Sequence, residues 1–241
     1  MSPKAKVYFE CVVGVGALLF VDAVSRFESQ NLNQFLAYLV AAIIGAMFKL
    51  RVPGMHASLS PVFAVVLVGI ANCSLGEVMV IGCAATLVQC LWRTRSKPRG
   101  REVIFSVAAV AISILVAYNP AHTLLESREI GWGTWMVCLA ALLFVLVNSG
   151  LVCGIIALVA ECPFAEVWSL LTRRSLGCYL VGGVIATLAV VFDRLWGWKN
   201  GLWIIPLLYL TFTVGRKVWE AQEFAAIPIG ASRSRSTSRL Y

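Results

Sequence analysis

A few polar side chains interrupt the apolar stretches of this sequence, and their chemistry is the first indication of function. Glu77 opens an apolar run and has no basic residue nearby in sequence. Gly82, Thr86 and Gln89 follow at spacings of four and three residues, so they share one face of a helix. Asn148 lies deep in a later apolar run. Carboxylate, hydroxyl and amide groups of this kind form hydrogen bonds with one another or with a ligand in apolar surroundings.

Two interpretations of these side chains stay open. In apolar surroundings, hydroxyls and amides link helices, at about 0.6 kcal/mol each. They also line cavities that bind small polar or amphipathic ligands. For Glu77 the structural alternative is an acid at a helix N-terminus, where it faces unpaired backbone N–H groups.

Long apolar segments must position these residues. Hydrophobic residues make up 60% of the 241 positions and charged residues 13%, against about 25% charged in soluble domains. The N-terminal run carries Glu10 and Asp22 and is followed by no small-residue cleavage site, so we interpret it as a span rather than a signal peptide. The sequence predicts an all-α, polytopic membrane helix bundle of about eight transmembrane helices, at Val7–Val24, Leu32–Phe48, His56–Ala71, Glu77–Trp92, Val103–Tyr118, Trp135–Ala160, Leu176–Phe192 and Leu202–Val214.

The basic residues predict the orientation of these spans. With the N-terminus in the cytoplasm, only Arg26, Arg128, Arg194 and Lys199 of the 20 Lys and Arg residues lie outside, as the positive-inside rule requires. The third segment is short enough for a re-entrant loop, but such a loop would put most basic residues outside. We therefore predict that it spans, with its helix starting near His56. Both termini are then cytoplasmic, in a multi-pass protein of the inner (plasma) membrane.

Acids within spans need an explanation, because burying one costs about 2.5–3.5 kcal/mol on the insertion scale. Asp22 has Arg26 four residues later, which predicts a helical ion pair. Glu10 is interpreted as reaching the cytoplasmic interface. Asp193 directly precedes Arg194, and we interpret it as a helix-end residue only.

Patterns for catalysis and metal binding are missing from the sequence. It has no H-E-x-x-H, G-x-S-x-G, Walker or Asp-rich diphosphate motif. Its two histidines, His56 and His122, are predicted at opposite membrane faces, where neither serves a triad with mid-membrane partners. The eight cysteines include no C-x-x-C pair, which argues against a disulfide framework or a zinc site. We therefore expect no catalytic residues, metal or cofactor.

The chain divides into two predicted regions. Residues 1–224 form the membrane helical domain, and residues 225–241 form a basic, Ser/Arg-rich cytoplasmic tail that we expect to be disordered. The basic loop from Arg93 to Arg101 is suited to anionic lipid. Because no aromatic residues interleave with its charges, it does not indicate nucleic-acid binding. The lipid bilayer is the partner that the composition implies.

The stretch from Arg51 to Trp92 is the most individual part of the chain. It reads R-V-P-G, then S-L-S, a short apolar span with Gly69, a polar turn with Glu77, and L-V-Q-x-L-W. This order resembles the N-terminal multi-span membrane sensor region of bacterial HD-GYP phosphodiesterases and GGDEF diguanylate cyclases. It is more distantly similar to the S components of energy-coupling-factor vitamin transporters.

The resemblance implies a ligand-sensing or ligand-binding module without catalysis of its own, whose pocket is bordered by residues 53–60 and by the helix from Glu77 to Gln89. The chain carries no HD-GYP or GGDEF signature, so its output would need a partner protein. It also has eight predicted spans where S components usually have six. The candidate ligand-binding residues are Ser58, Ser60, Glu77, Thr86, Gln89 and Asn148.

Three functions stay open from the sequence. The first, which we expect, is a sensory or regulatory module that binds a small ligand or senses the bilayer, and that acts on a cytoplasmic signalling protein through the extension after Val214. The second is an S-component-like transport subunit energised by a separate ATPase. The third is an intramembrane enzyme, for which the sequence suggests no substrate.

Overall fold

The computed structural model describes residues 2–29, 31–47, 50–51, 58–59, 62–92, 99–125 and 130–201. Almost all of these residues are helical, as predicted. The predicted eighth span, Leu202–Val214, and the predicted tail, 225–241, lie outside the described residues. The elements are α1 (Pro3–Ser25), α2 (Leu32–Met47), β1 (Leu50–Arg51), β2 (Ser58–Leu59), α3 (Val62–Asn72), α4 (Leu75–Leu91), α5 (Gly100–Leu125), α6 (Ile130–Ala160), α7 (Phe164–Trp196) and the single turn α8 (Trp198–Gly201).

Four helices within the described residues are long and apolar enough to cross a membrane. They are α1, α5 over Gly100–His122, α6 over Trp135–Ala160 and α7 over Ser175–Trp196. The other three main helices, α2, α3 and α4, are apolar but shorter. Each of the first seven predicted spans therefore coincides with one helix of the bundle, although α7 begins at Phe164, well before the predicted start at Leu176.

The outer faces of the long helices are apolar. Leu18 of α1 is 73% exposed, Trp135 of α6 is 74% exposed and Val184 of α7 is 61% exposed. Soluble monomers rarely expose continuous apolar surface of this kind. Contact with lipid accounts for these faces, and the protein is a membrane protein.

The predicted start of the third helix near His56 is wrong. Instead, β2 pairs antiparallel with β1, and α3 begins only at Val62. The sequence gives the reason, because Pro61 disfavours helical dihedral angles in the residue before it. With 11 residues, α3 is about 17 Å long at 1.5 Å per residue.

Helix α3 forms the centre of the bundle. All of its residues from Val62 to Ile70 are buried, as expected of a helix that is apolar on every side and enclosed by protein. It packs against α2, α4 and α7, and also contacts α5 and α6. Phe63 stacks edge-on against Tyr179 and contacts the ring of Phe144. The rest of the bundle is arranged around this short helix.

Close packing elsewhere depends on glycines. At Gly16 of α1, an added Cβ would lie 2.6 Å from the Cβ of Ala108 in α5, so these helices meet almost backbone to backbone. At Gly82 of α4, an added Cβ would overlap Ile114 of α5. Small residues permit this close approach in membrane bundles. Helix α5 is thereby held between α1 and α4.

Candidate functional site

The turn between α3 and α4 carries the N-terminal cap of α4. The Glu77 N–H donates to Ser74 Oγ at 3.4 Å, while Glu77 Oε2 accepts from the Ser74 N–H at 2.9 Å and from the Ser74 hydroxyl at 3.1 Å. The two residues form a capping box, in which each satisfies an otherwise unpaired group of the other. The interpretation of Glu77 as an acid at a helix N-terminus is confirmed.

Glu77 is also bonded from another part of the chain. Its side chain is buried, and Oε1 accepts a hydrogen bond of 2.7 Å from Ser29, which follows α1. Both carboxylate oxygens of Glu77 are therefore paired. The bond from Ser29 fixes the connection between α1 and α2 against the start of α4.

A second acid reaches the same turn from α7. Asp193 Oδ2 accepts one hydrogen bond from the Tyr38 hydroxyl of α2, at 2.9 Å, and another from the amide of Asn72, the last residue of α3. Tyr38 is 1% exposed and Asp193 is 9% exposed. The interpretation of Asp193 as a helix-end residue only is wrong, because its carboxyl group joins α7 to α2 and α3.

Helix α5 supplies two more contacts with the turn. His122 Nε2–H donates to the backbone carbonyl of Ile70 at 2.9 Å, and the Tyr118 hydroxyl donates to the carbonyl of Cys73 at 3.4 Å. The two rings stack with centroids 3.9 Å apart and planes 18° apart. They satisfy carbonyl groups that the end of α3 leaves without a partner in the helix.

Cys73 lies buried at the middle of the turn. Burial raises the pKa of its thiol to about 12, and the nearby carboxylates of Glu77 and Asp193 act in the same direction by disfavouring a thiolate. The neutral thiol is a poor nucleophile and a poor metal ligand. Cys73 is therefore a packing residue of the turn.

These contacts define a partly buried site, which we call the turn cluster. Within it α1, α3, α5 and α7 end, and α2 and α4 begin, so the odd-numbered helices run antiparallel to α2 and α4. At the opposite end of the bundle, Ser2 before α1 donates to the carbonyl of Leu158 in the last turn of α6. The turn cluster consists of Ser29, Tyr38, Asn72, Cys73, Ser74, Glu77, Tyr118, His122 and Asp193.

The two acids of the turn cluster differ in how their charge is compensated. Among the described residues, ion pairs join Lys6 to Glu10 and Arg26 to Asp22, all well exposed, and the second confirms the predicted helical pair. Neither Glu77 nor Asp193 is paired with a described Lys or Arg. Glu77 has donors on both oxygens, whereas Asp193 Oδ1 is buried without a hydrogen-bond partner in the described part of the chain.

The chemistry available to the turn cluster is hydrogen bonding and binding of a positively charged species. In the described ranges, no group of three or more His, Cys, Asp or Glu residues is arranged to hold a metal ion. Within the turn cluster, His122 donates to a backbone carbonyl and Cys73 is a neutral thiol, so these two residues are not arranged as a nucleophile and its base.

One comparison with known proteins decides the family. The model of MASE9, a family of membrane-associated sensor domains, matches residues 19–217. The chain belongs to the MASE9 family. No curated protein and no solved structure matches it. The MASE9 match contains every residue of the turn cluster, and it is consistent with the predicted membrane sensor region. The narrower resemblance to the HD-GYP and GGDEF proteins stays a prediction.

Of the predicted ligand-binding residues, Glu77 alone belongs to the turn cluster of this MASE9 protein. The Thr86 hydroxyl donates to the Gly82 carbonyl within α4, at 2.7 Å, and Gly82 faces α5. This part of the predicted polar face is therefore engaged in helix packing. Gln89, half-buried, is twelve residues beyond Glu77, about 18 Å along α4.

The remaining candidates lie in other parts of the MASE9 fold. Ser58 belongs to β2, opposite Arg51 of β1. Ser60 lies outside the described residues. Asn148 is half-buried, about 27 Å along α6 from its first residue, Ile130. Ligand binding by these residues stays a prediction.

Sequence reasoning missed Tyr38, Asn72 and Asp193. Each had a weak signal. Asn72 lies in a polar turn between two apolar runs, and Asp193 is an acid close to the end of a predicted span. Tyr38 lies within the apolar run of α2, where its neighbours in sequence do not indicate a polar partner. A comparison of depth along the predicted spans would have placed Tyr38 and Asp193 near the same membrane face.

Proposed function

We propose that this MASE9 protein is a membrane-embedded sensory module that spans the inner membrane about eight times, with both termini in the cytoplasm, and acts on a cytoplasmic partner. One observation carries the proposal, namely that the family match covers a bundle in which buried and half-buried polar groups join five helices at one end. Each of these helices is held there by hydrogen bonds whose loss leaves a buried group unpaired, at about 1–3 kcal/mol. Small changes at the turn cluster therefore alter helix positions.

The basic residues support this orientation. Lys4 and Lys6 lie at the start of α1, and Arg99 and Arg101 at the start of α5, at the end of the bundle away from the turn cluster. The positive-inside rule assigns such an end to the cytoplasm. On this proposal the turn cluster faces the outside of the cell.

Signal transfer in this proposal follows the long helices. Helix α7 has 33 residues, about 50 Å, and extends from Asp193 in the turn cluster to Phe164 near the cytoplasmic end. A stimulus that favours one set of hydrogen bonds in the turn cluster shifts the equilibrium between two arrangements of the helices. A ligand shifts such an equilibrium when it binds one arrangement more tightly than the other. The partner is a cytoplasmic signalling protein contacted by the segment after Val214.

The stimulus is a small ligand or a property of the bilayer. Of the candidates Ser58, Ser60, Glu77, Thr86, Gln89 and Asn148, only Glu77 lies in the turn cluster, and we propose it as the first ligand-binding residue to test, although a ligand would have to replace one of its present hydrogen bonds. Mass spectrometry of small molecules that co-purify with the protein in lipid nanodiscs identifies a bound ligand. A Glu77→Gln variant that loses the same molecule, while Glu10→Gln retains it, supports the assignment.

The partner is tested by a deletion in the full chain. Removing Gly215–Phe224 abolishes cross-linking to a cytoplasmic signalling protein in cells, whereas removing the equally long segment Gly230–Arg239 preserves it. Both deletion proteins are first compared with the wild-type chain for membrane insertion. Unchanged cross-linking after the first deletion contradicts the proposed route to the partner. Co-purification with a transport ATPase instead favours the S-component-like function.

A further inference from the structure

Within the ranges that the structure describes, Asp193 is the acid of the turn cluster that has a hydrogen-bond partner on only one of its two carboxylate oxygens. It is 9% exposed, and Oδ2 accepts from Tyr38 and Asn72 while Oδ1 has no partner among the described residues. An ionised carboxylate with one unpaired oxygen in a buried site is costly, because burial removes the water that stabilises the charge. The geometry therefore requires a positive species at Asp193 or a neutral carboxyl group.

The surroundings of Asp193 strengthen this requirement. The residue lies in the last turn of α7, where the helix dipole places a partial negative charge that disfavours an ionised carboxylate. The neighbouring Arg194 and Lys199 are exposed and form no described ion pair with it. Two titratable groups interact with Asp193 directly, namely the Tyr38 hydroxyl of α2 through a hydrogen bond and the Cys73 thiol of the turn electrostatically. The other titratable members of the turn cluster are Glu77, Tyr118 and His122, and Arg194 and Lys199 are the charged residues that follow Asp193 in the described chain.

A proton fits this site better than larger species do. A metal ion needs several ligands, and in the described part of the chain no three His, Cys, Asp or Glu residues are grouped to hold one. A proton needs no cavity, and when it binds Oδ1 the carboxyl group becomes neutral and the two bonds at Oδ2 are kept. Glu77 does not need one, because donors reach both of its oxygens.

We propose that Asp193 is a proton-binding site that controls the docking of α7 onto α2 and α3. With the proton bound, α7 stays docked through the bonds from Tyr38 and Asn72. When the proton leaves to water, the carboxylate draws the end of α7 towards solvent and those bonds are lost. Low pH therefore favours the docked state and high pH the released state. This inference rests on the proposed sensory function, for which it names the stimulus as protons on the side of the turn cluster.

The chain offers an unusually clean test, because Asp22 and Asp193 are its only aspartates. The full chain, labelled with ¹³C-aspartate in lipid nanodiscs, is titrated from about pH 5 to about pH 9 and followed by infrared difference spectroscopy. The labelled protonated-carboxyl band is expected to disappear as pH rises. The band and its loss at high pH are expected to be the same in Asp22→Asn, whose native side chain is exposed and paired with Arg26. The band is expected to be absent at every pH in Asp193→Asn.

Docking of α7 is measured on the same samples by hydrogen–deuterium exchange. After correction for intrinsic exchange, amides of residues 186–196 in the wild type and in Asp22→Asn are expected to exchange faster at high pH. The exchange rate is expected to rise about tenfold for each unit by which the pKa of Asp193 differs between the docked and released states. Asp193→Asn mimics the neutral acid and is expected to show slow, pH-independent exchange.

Each outcome bears on one proposal. A labelled band that does not titrate, or a pH-dependent exchange that persists in Asp193→Asn, overturns the proton site. A response to Na⁺ or K⁺ at constant pH overturns it in favour of a cation site. If Asp193→Asn does not fold, the labelled wild type and Asp22→Asn still decide the matter. A titrating Asp193 without any effect of pH on the cytoplasmic partner leaves the proton site standing and contradicts the sensory role assigned to it.

Discussion

The contact between α1 and α5 yields the sharpest prediction about the bundle. In Gly16→Ala, the new Cβ would lie 2.6 Å from the Cβ, 2.7 Å from the Cα and 2.8 Å from the carbonyl oxygen of Ala108, whereas ordinary contacts begin at 3.4 Å. Two of these three atoms are backbone atoms, so no side-chain rotation relieves the overlap. The helices must separate by roughly 0.8 Å, and overpacking of this kind costs about 1–3 kcal/mol.

The matched control is two residues away on the same helix. At Gly14 an added Cβ meets no atom within 4 Å, so Gly14→Ala gains only the helix preference of alanine, about 0.5–1 kcal/mol. Since both variants share that gain, the difference between their free energies of unfolding isolates the packing term. We expect Gly16→Ala to be less stable than Gly14→Ala by about 1–3 kcal/mol in denaturant titrations in mixed micelles.

A double variant examines the cause of that loss. Ala108→Gly removes one of the three overlapping atoms and leaves the Cα and the carbonyl oxygen, so Gly16→Ala with Ala108→Gly should recover only a minor part of the stability. Equal unfolding midpoints for Gly16→Ala and Gly14→Ala would refute the close approach of α1 and α5. Full recovery in the double variant would show that the backbone of α5 is farther away than described.

Two further predictions concern the turn cluster. Glu77→Gln should lower the free energy of unfolding by about 1–3 kcal/mol, because an amide nitrogen cannot accept the bonds that the second carboxylate oxygen accepts. Glu10→Gln, at an exposed position, should leave the free energy of unfolding nearly unchanged. Equal losses in the two variants would contradict the buried cap. Cys73, whose raised pKa of about 12 keeps it a neutral thiol at about pH 8, should resist a water-soluble maleimide in the folded protein. Exposed Cys162 should react under the same conditions, and rapid labelling of both would show that the turn is open.

The sequence was sufficient wherever the interactions are local. Apolar length predicted helices α1 to α7, because a segment in lipid must pair its backbone groups within itself. The ion pair of Asp22 with Arg26 and the placement of Glu77 at a helix start depend on residues three or four positions apart. The orientation that the charge distribution predicts stays a prediction.

The turn cluster was beyond such reasoning because its bonds join distant parts of the chain. Tyr38 and Asp193 are separated by 155 positions, and no spacing rule relates them. The start of α3 was misjudged for a different reason. The prediction placed Pro61 close to the first turn of a helix from His56, where a missing N–H costs little, but the pairing of β2 with β1 excludes a helix there, and Pro61 itself favours a later start.

The enclosure of α3 has a consequence for how the protein is made. A helix of 11 residues is too short to be held stably by the bilayer alone, so its place must come from its neighbours. One of those neighbours is α7, which leaves the ribosome roughly a hundred residues later. Until then the side of α3 that packs against α7 is uncovered within the nascent protein, and the centre of the bundle closes only after α7 has been synthesised. A central helix that is synthesised early therefore depends on a neighbour that is synthesised late.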